Sequence, residues 1–121
     1  MGRLLKVDES TIVDGVTVIY RALGADEFYS VMNTQRFAIH PRCVPVKYFG
    51  LDFDETLAFA NMVINIDIAA ILEVFVEKKV LEQIGDFTHV DIFLFKKGTV
   101  EIQPEMLEEF NKSIRGIVHR F

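Results

Sequence analysis

Three side chains in this sequence sit where apolar surroundings would make them chemically potent: Arg21, Tyr48 and Glu101. Arg21 closes the run Val16-Thr17-Val18-Ile19-Tyr20-Arg21, whose β-branched and aromatic residues read as a strand. Alternation along it places Thr17, Ile19 and Arg21 on one face and Val16, Val18 and Tyr20 on the other. A guanidinium at the end of a buried strand must meet an anion, and either a ligand phosphate or a carboxylate of the protein would serve. Tyr48, in Lys47-Tyr48-Phe49, either offers its ring to a flat ligand or packs half-buried with its hydroxyl at the surface. Lys47 beside it reads as solvated. In Thr99-Val100-Glu101-Ile102-Gln103 the apolar pair Val100 and Ile102 faces inward, leaving Glu101 either on the wall of a cleft or on a solvated face. Glu105 follows closely, so a pair of working carboxylates could be drawn from Glu101 and Glu105.

Other chemistry-bearing residues give weaker patterns. His40, His89 and His119 lie far apart, without the spacing of paired metal ligands, and read as surface or turn residues. The single Cys43 excludes an intramolecular disulfide and points to a reducing compartment. Ser10, Ser30 and Ser113 occupy no nucleophile-elbow context. Glu105, Glu108 and Glu109 fall on the polar side of a helix and read as a solvated face. No glycine-rich phosphate loop is present.

These residues must be positioned by an alternation of short elements. After the first strand, Ala25 to Asn33 carries Phe28, Val31 and Met32 at helical spacing. Arg36 to Ile39 reads as a short strand and His40 to Pro45 as an irregular loop. Val46 to Phe49 is the next strand. Asp52 with Glu55 three residues on resembles a capping box opening a helix through Ala60. Ile71 to Val76 reads as a central strand, Glu77 to Ile84 as a helix stopped at Gly85. Val90 to Phe95 and Thr99 to Gln103 read as strands around a turn at Lys96-Lys97-Gly98. Pro104 opens a helix carrying Met106, Leu107 and Phe110 inward and ending at Gly116, with Ile117 to Phe121 as a last strand. The order implies an α+β single domain over residues 1–121, with a mixed or mostly antiparallel, split sheet and about four short helices. Residues 1–14 read as an edge or weakly ordered segment.

Composition bounds the function. Half of the 121 residues are hydrophobic and 26% charged, the balance of one globular domain with a real core. A net charge of -5 argues against a general nucleic-acid binder while leaving room for one small basic pocket. No secretory pattern opens the chain and no apolar run is long enough to span a bilayer, so the expectation is a soluble protein without membrane partners.

The pieces Tyr20-Arg21-Ala22, the short helix with Glu27, Asn33-Thr34-Gln35-Arg36-Phe37, Lys47-Tyr48-Phe49, Ala58-Phe59-Ala60, Thr99-Val100-Glu101-Ile102-Gln103-Pro104 and Leu107-Glu108-Glu109-Phe110-Asn111 together resemble the ADP-ribosyltransferase-like domains of bacterial polymorphic toxins and related stand-alone proteins. That resemblance implies NAD as substrate, held by Arg21 and Tyr48, and Glu101 as the catalytic carboxylate, with no metal. It implies transfer of ADP-ribose to a protein acceptor, or cleavage of NAD, in a bacterial cytoplasm or a target cell's cytoplasm. The chain departs from the family pattern in lacking a Ser-Thr-Ser motif, and its nearest match to the paired-acid motif is Gln103-Pro104-Glu105. The alternative on the same scaffold is a non-catalytic binding or immunity-like protein with a protein partner.

Overall fold

Among the described residues, the β-branched runs of the chain pair with shorter strands into one six-stranded sheet. Its strands are β1 (Val16–Gly24), β2 (Lys47–Gly50), β3 (Ile68–Glu77), β4 (Asp86–Thr88), β5 (Thr99–Ile102) and β6 (Ile114–His119), in the order β4-β5-β2-β1-β3-β6. Every pairing is antiparallel. Among the described residues four helices accompany it: α1 (Ala25–Thr34), α2 (Phe53–Met62), α3 (Lys78–Ile84) and α4 (Leu107–Ser113), the last entered through a 3-10 turn at Pro104–Met106. The structure, a computed structural model, describes residues 15–38, 47–62, 68–88 and 95–120. The chain is thus a single small α+β domain. Residues 1–14, the loop with His40 and Cys43, His89 and most of the run Val90 to Phe95 lie outside the described residues.

The sheet has two unlike faces, set by period-two alternation. On the inner face Ile19, Leu23, Leu72, Val74, Val76, Phe49, Val100, Ile102 and Ile117 are fully buried. Val31 of α1, Leu81 of α3 and Phe110 of α4 close over them. At the centre Phe37, Phe49 and Phe110 meet ring to ring, with centroids 5.1 to 5.9 Å apart in tilted and edge-on contacts that aromatic pairs favour. The outer face carries α2, through Phe53 against Tyr20 at 5.8 Å and Thr56 above Gly50. A side chain at Gly50 would run into the Thr56 hydroxyl and the Phe95 ring, so glycine lets α2 seat on β2.

Pairing density is uneven across the sheet. β1 and β3 run together over their whole lengths, from Val16 opposite Glu77 to Gly24 opposite Ile68. Between β1 and β2 the ladder is one pair, Tyr20 opposite Gly50, among the described residues. The sheet is therefore two three-stranded halves, β4-β5-β2 and β1-β3-β6, meeting at a narrow seam.

Several local expectations change. Arg36 to Ala38 forms no strand; Phe37 instead enters the core, and Asn111 of α4 grips its backbone. The Asn111 Oδ1 accepts the Phe37 N–H and its Nδ2 donates to the Phe37 carbonyl, both at 2.8 Å. One side-chain amide thus satisfies the donor and acceptor that a neighbouring strand would otherwise take. Asp86–Thr88 pairs with β5, where the sequence shows only a polar-rich stretch. The last helix stops at Ser113, three residues before Gly116, because Ile114 to His119 can pair with β3. Met106 is 38% exposed and does not face inward, since the 3-10 turn advances the chain differently from an α-turn.

Asp52 caps α2 as expected, its Oδ2 accepting the Glu55 N–H at 3.1 Å. Glu55 does not complete a capping box; its carboxylate accepts the backbone N–H of Lys97, and the Lys97 ammonium reaches Asp52 Oδ1 at 2.9 Å. The turn before β5 is thereby pinned to the start of α2.

Removing the Asn111 clamp exposes the cost of an unsatisfied, part-buried backbone. Asn111→Ala is expected to lower the unfolding free energy by about 2 kcal/mol, read as a lower urea midpoint at unchanged m-value.

Candidate functional site

β1 runs past Arg21 to Gly24 and turns directly into α1, whose first turn brings Glu27 back over the strand end. Glu27 is 8% exposed, and it shares a buried helical stripe with Val31, one turn on. Its carboxylate takes Arg21 in a two-point grip: Nε donates to Oε2 at 2.8 Å and Nη2 to Oε1 at 2.9 Å. Lys47 is fully buried, and its ammonium reaches the same Oε2 at 3.3 Å. One carboxylate is therefore shared by two cations.

Arg21 also bridges the seam. Its Nη1 donates to the Tyr48 carbonyl at 2.9 Å, standing in for a ladder bond that β1 and β2 do not make there. The guanidinium carbon lies 5.8 Å from the centre of the Phe49 ring. Three of its five N–H donors are thus used, and the remaining two meet no acceptor among the described residues. The Arg21 side chain keeps 16% of its surface in solvent.

Burial pushes the Glu27 carboxyl pKa up, but the hydrogen bonds and charge of Arg21, with Lys47 added, outweigh it. The net result is a carboxyl held below its ordinary value of 4.5. Glu27 stays ionised at neutral pH, and the group as a whole carries one net positive charge.

Tyr48 and Glu101 stand directly opposite each other on β2 and β5, and Glu101 stands opposite Asp86 on β4. Direct partners share a face, so these three project together. Their neighbours Lys47, Phe49, Val100 and Ile102 are all buried on the inner face, so Tyr48 and Glu101 leave the outer one. Tyr48 is 45% exposed and Glu101 half-buried. Arg21, between Ile19 and Leu23, leaves the inner face. The three residues singled out in the sequence thus occupy three adjacent strands, with Arg21 on one side of the sheet and the other two on the opposite side. Glu105 lies beyond β5 in the 3-10 turn, exposed to solvent.

Lys47 and Glu27 are the charged residues whose place the sequence pattern conceals. Lys47 reads as solvated but is completely enclosed. Parity with Phe49, two residues on, was the available signal: an inward Phe49 takes Lys47 inward too. Glu27 follows Arg21 by six residues across a glycine turn, a spacing with no fixed geometric meaning until the turn is known.

The other candidates fall into ordinary roles. Glu108 and Glu109 are exposed and pair loosely with Lys112 at 3.7 and 4.0 Å. The His119 ring packs on Phe28 with centroids 4.8 Å apart. Among the described residues no group of His, Cys, Asp and Glu could hold a metal ion, and no helix is long and apolar enough to cross a membrane. On the outer face Tyr20 stands opposite Glu73, and burial together with that carboxylate raises the Tyr20 phenol pKa. An open groove of about 400 Å³ beside Arg36, Pro104 and Glu108 holds none of the three singled-out residues. Comparison with known proteins finds no matching family model, no similar curated protein and no similar solved structure.

Glu27 binds its partners through a depressed pKa, so its contribution to stability is complete above about pH 4.5 and lost as pH falls through the lower, folded-state value. Glu27→Gln is expected to cost on the order of 3 kcal/mol at neutral pH, because two cations lose their anion. In urea titrations the gap between parent and variant should hold steady above about pH 5 and narrow towards about pH 3.

Proposed function

We propose that the protein binds an NAD-type dinucleotide at the seam between β1 and β2 and acts on it as an ADP-ribosyltransferase or NAD-cleaving domain of the ADP-ribosyltransferase-like class. In this reading Arg21 holds the pyrophosphate and the exposed Tyr48 ring lies against the nicotinamide. Glu101 faces the sugar, where breaking the nicotinamide–ribose bond builds positive charge that a nearby carboxylate stabilises.

The observation that carries it is topological. Three residues named from separate parts of the sequence fall on the adjacent strands β5, β2 and β1, with Tyr48 and Glu101 direct cross-strand partners and Arg21 bonded to the Tyr48 carbonyl. The two uncommitted N–H groups of Arg21 suit an anionic ligand. The reading also sets a geometric condition: one ligand must reach both faces of the sheet at the seam, where among the described residues β1 and β2 share one ladder pair and the Arg21–Tyr48 bond.

A second reading, a non-catalytic module whose partner is a protein, is favoured by one specific feature. Glu27 already supplies Arg21 with an anion, on the face opposite Glu101. The two readings separate in a titration with NAD. The enzymatic one expects binding with a Kd between about 1 μM and about 1 mM, weakened by Arg21→Lys. It expects Glu101→Gln to bind NAD as the parent does while losing turnover about 100-fold or more. Freshly purified protein that neither binds nor consumes NAD would overturn it and leave the binding module.

A further inference from the structure

We infer that Lys47, although it touches no solvent, is the positioning residue that makes the Arg21 site attractive to a phosphate: by sharing Glu27 it keeps the group net cationic. The inference rests on the reading of Arg21 as a pyrophosphate holder.

An arginine closed by a single carboxylate is a neutral pair, and a neutral pair has little pull on a further anion. Here the arginine is closed in that way, with both Glu27 oxygens engaged. What changes the balance is the buried ammonium on Oε2. Lys47 cannot meet a ligand itself, being fully enclosed. Its charge is nevertheless felt through a medium that screens poorly, so the two N–H groups of Arg21 that meet no acceptor among the described residues belong to a group of charge +1. The arrangement also keeps the guanidinium fixed. Glu27, the Tyr48 carbonyl and the Phe49 ring hold three sides of it, leaving little rotamer freedom to lose when an anion arrives.

Charge bookkeeping makes the inference testable with inorganic pyrophosphate and NAD as probes, measured by calorimetry at fixed salt. Lys47→Met takes the group to zero and should weaken pyrophosphate binding tenfold or more. Lys47→Arg should hold it within about threefold of the parent. Glu27→Gln takes the group to +2 and should tighten binding, while the double variant Glu27→Gln with Lys47→Met returns it to +1 and to near-parental affinity. A purely structural role for Lys47 would weaken binding in Glu27→Gln and Lys47→Met alike, and that result would overturn the inference. So would parental affinity in Lys47→Met. If Lys47→Met does not fold, the double variant and Glu27→Gln still decide by their order: affinity that fails to follow charge ends the proposal. Pyrophosphate bound without NAD would remove the dinucleotide reading and leave the role of Lys47 standing. Binding of neither probe at millimolar concentration would overturn both.

Discussion

The carboxylate of Glu27 ties together α1 and two strands, β1 and β2, that share a single ladder pair among the described residues. It sits in the first turn of α1, yet its two oxygens are filled by Arg21 from β1 and Lys47 from β2. Because both cations leave the inner face of the sheet, the pairing fixes where α1 lies across the strands as well as how β1 and β2 approach. Burying such a group is expensive unless each charge is met, and two cations on one anion leave the sum uneven. A core built only for stability would more economically use three apolar residues here. The retained imbalance is the physical reason to look for a ligand at this place in the fold.

Packing elsewhere supports that arrangement from below. Phe49 lies under the Arg21 guanidinium and is itself wedged between Phe37 and Phe110, so the floor of the charged group is an aromatic core. Asn111 locks Phe37 in that core through its backbone, and α4 carries both Asn111 and Phe110. The path from α4 to Arg21 is therefore continuous: amide, backbone, ring, ring, guanidinium. On the opposite face α2 is pinned by Gly50 below and by Lys97 at its cap.

Much of this was legible from residue types. The strands rich in Val and Ile, the helix opened by Asp52, the turn at Lys96 to Gly98 and the need of Arg21 for an anion all follow from local rules. What local rules hide is partner choice. Arg21 could accept a protein or a ligand anion, and only the turn at Gly24 decides that Glu27 arrives. Lys47 carries a charge whose usual place is water, and its burial follows from its neighbour's parity. Asp86–Thr88 is a strand because β5 offers an edge, which no window of three residues can reveal. The opposite projection of Arg21 and Glu101 depends on register between β1 and β2, set by a single pair. Sequence alternation gives each strand two faces but does not say which faces of different strands coincide.

That seam has a consequence for how the domain comes into being. The half made of β1, β3 and β6 and the half made of β4, β5 and β2 are interleaved along the chain, which crosses between them at every strand-to-strand connection except β4 to β5. Neither half is a contiguous fragment, so neither could be excised, exchanged or made separately as a unit. On the ribosome β1 and β3 can pair early, but their half waits for Ile114–His119 before its outer edge is covered. Most of the chain must therefore be synthesised before either half is whole, and the growing polypeptide carries an unfinished sheet until then.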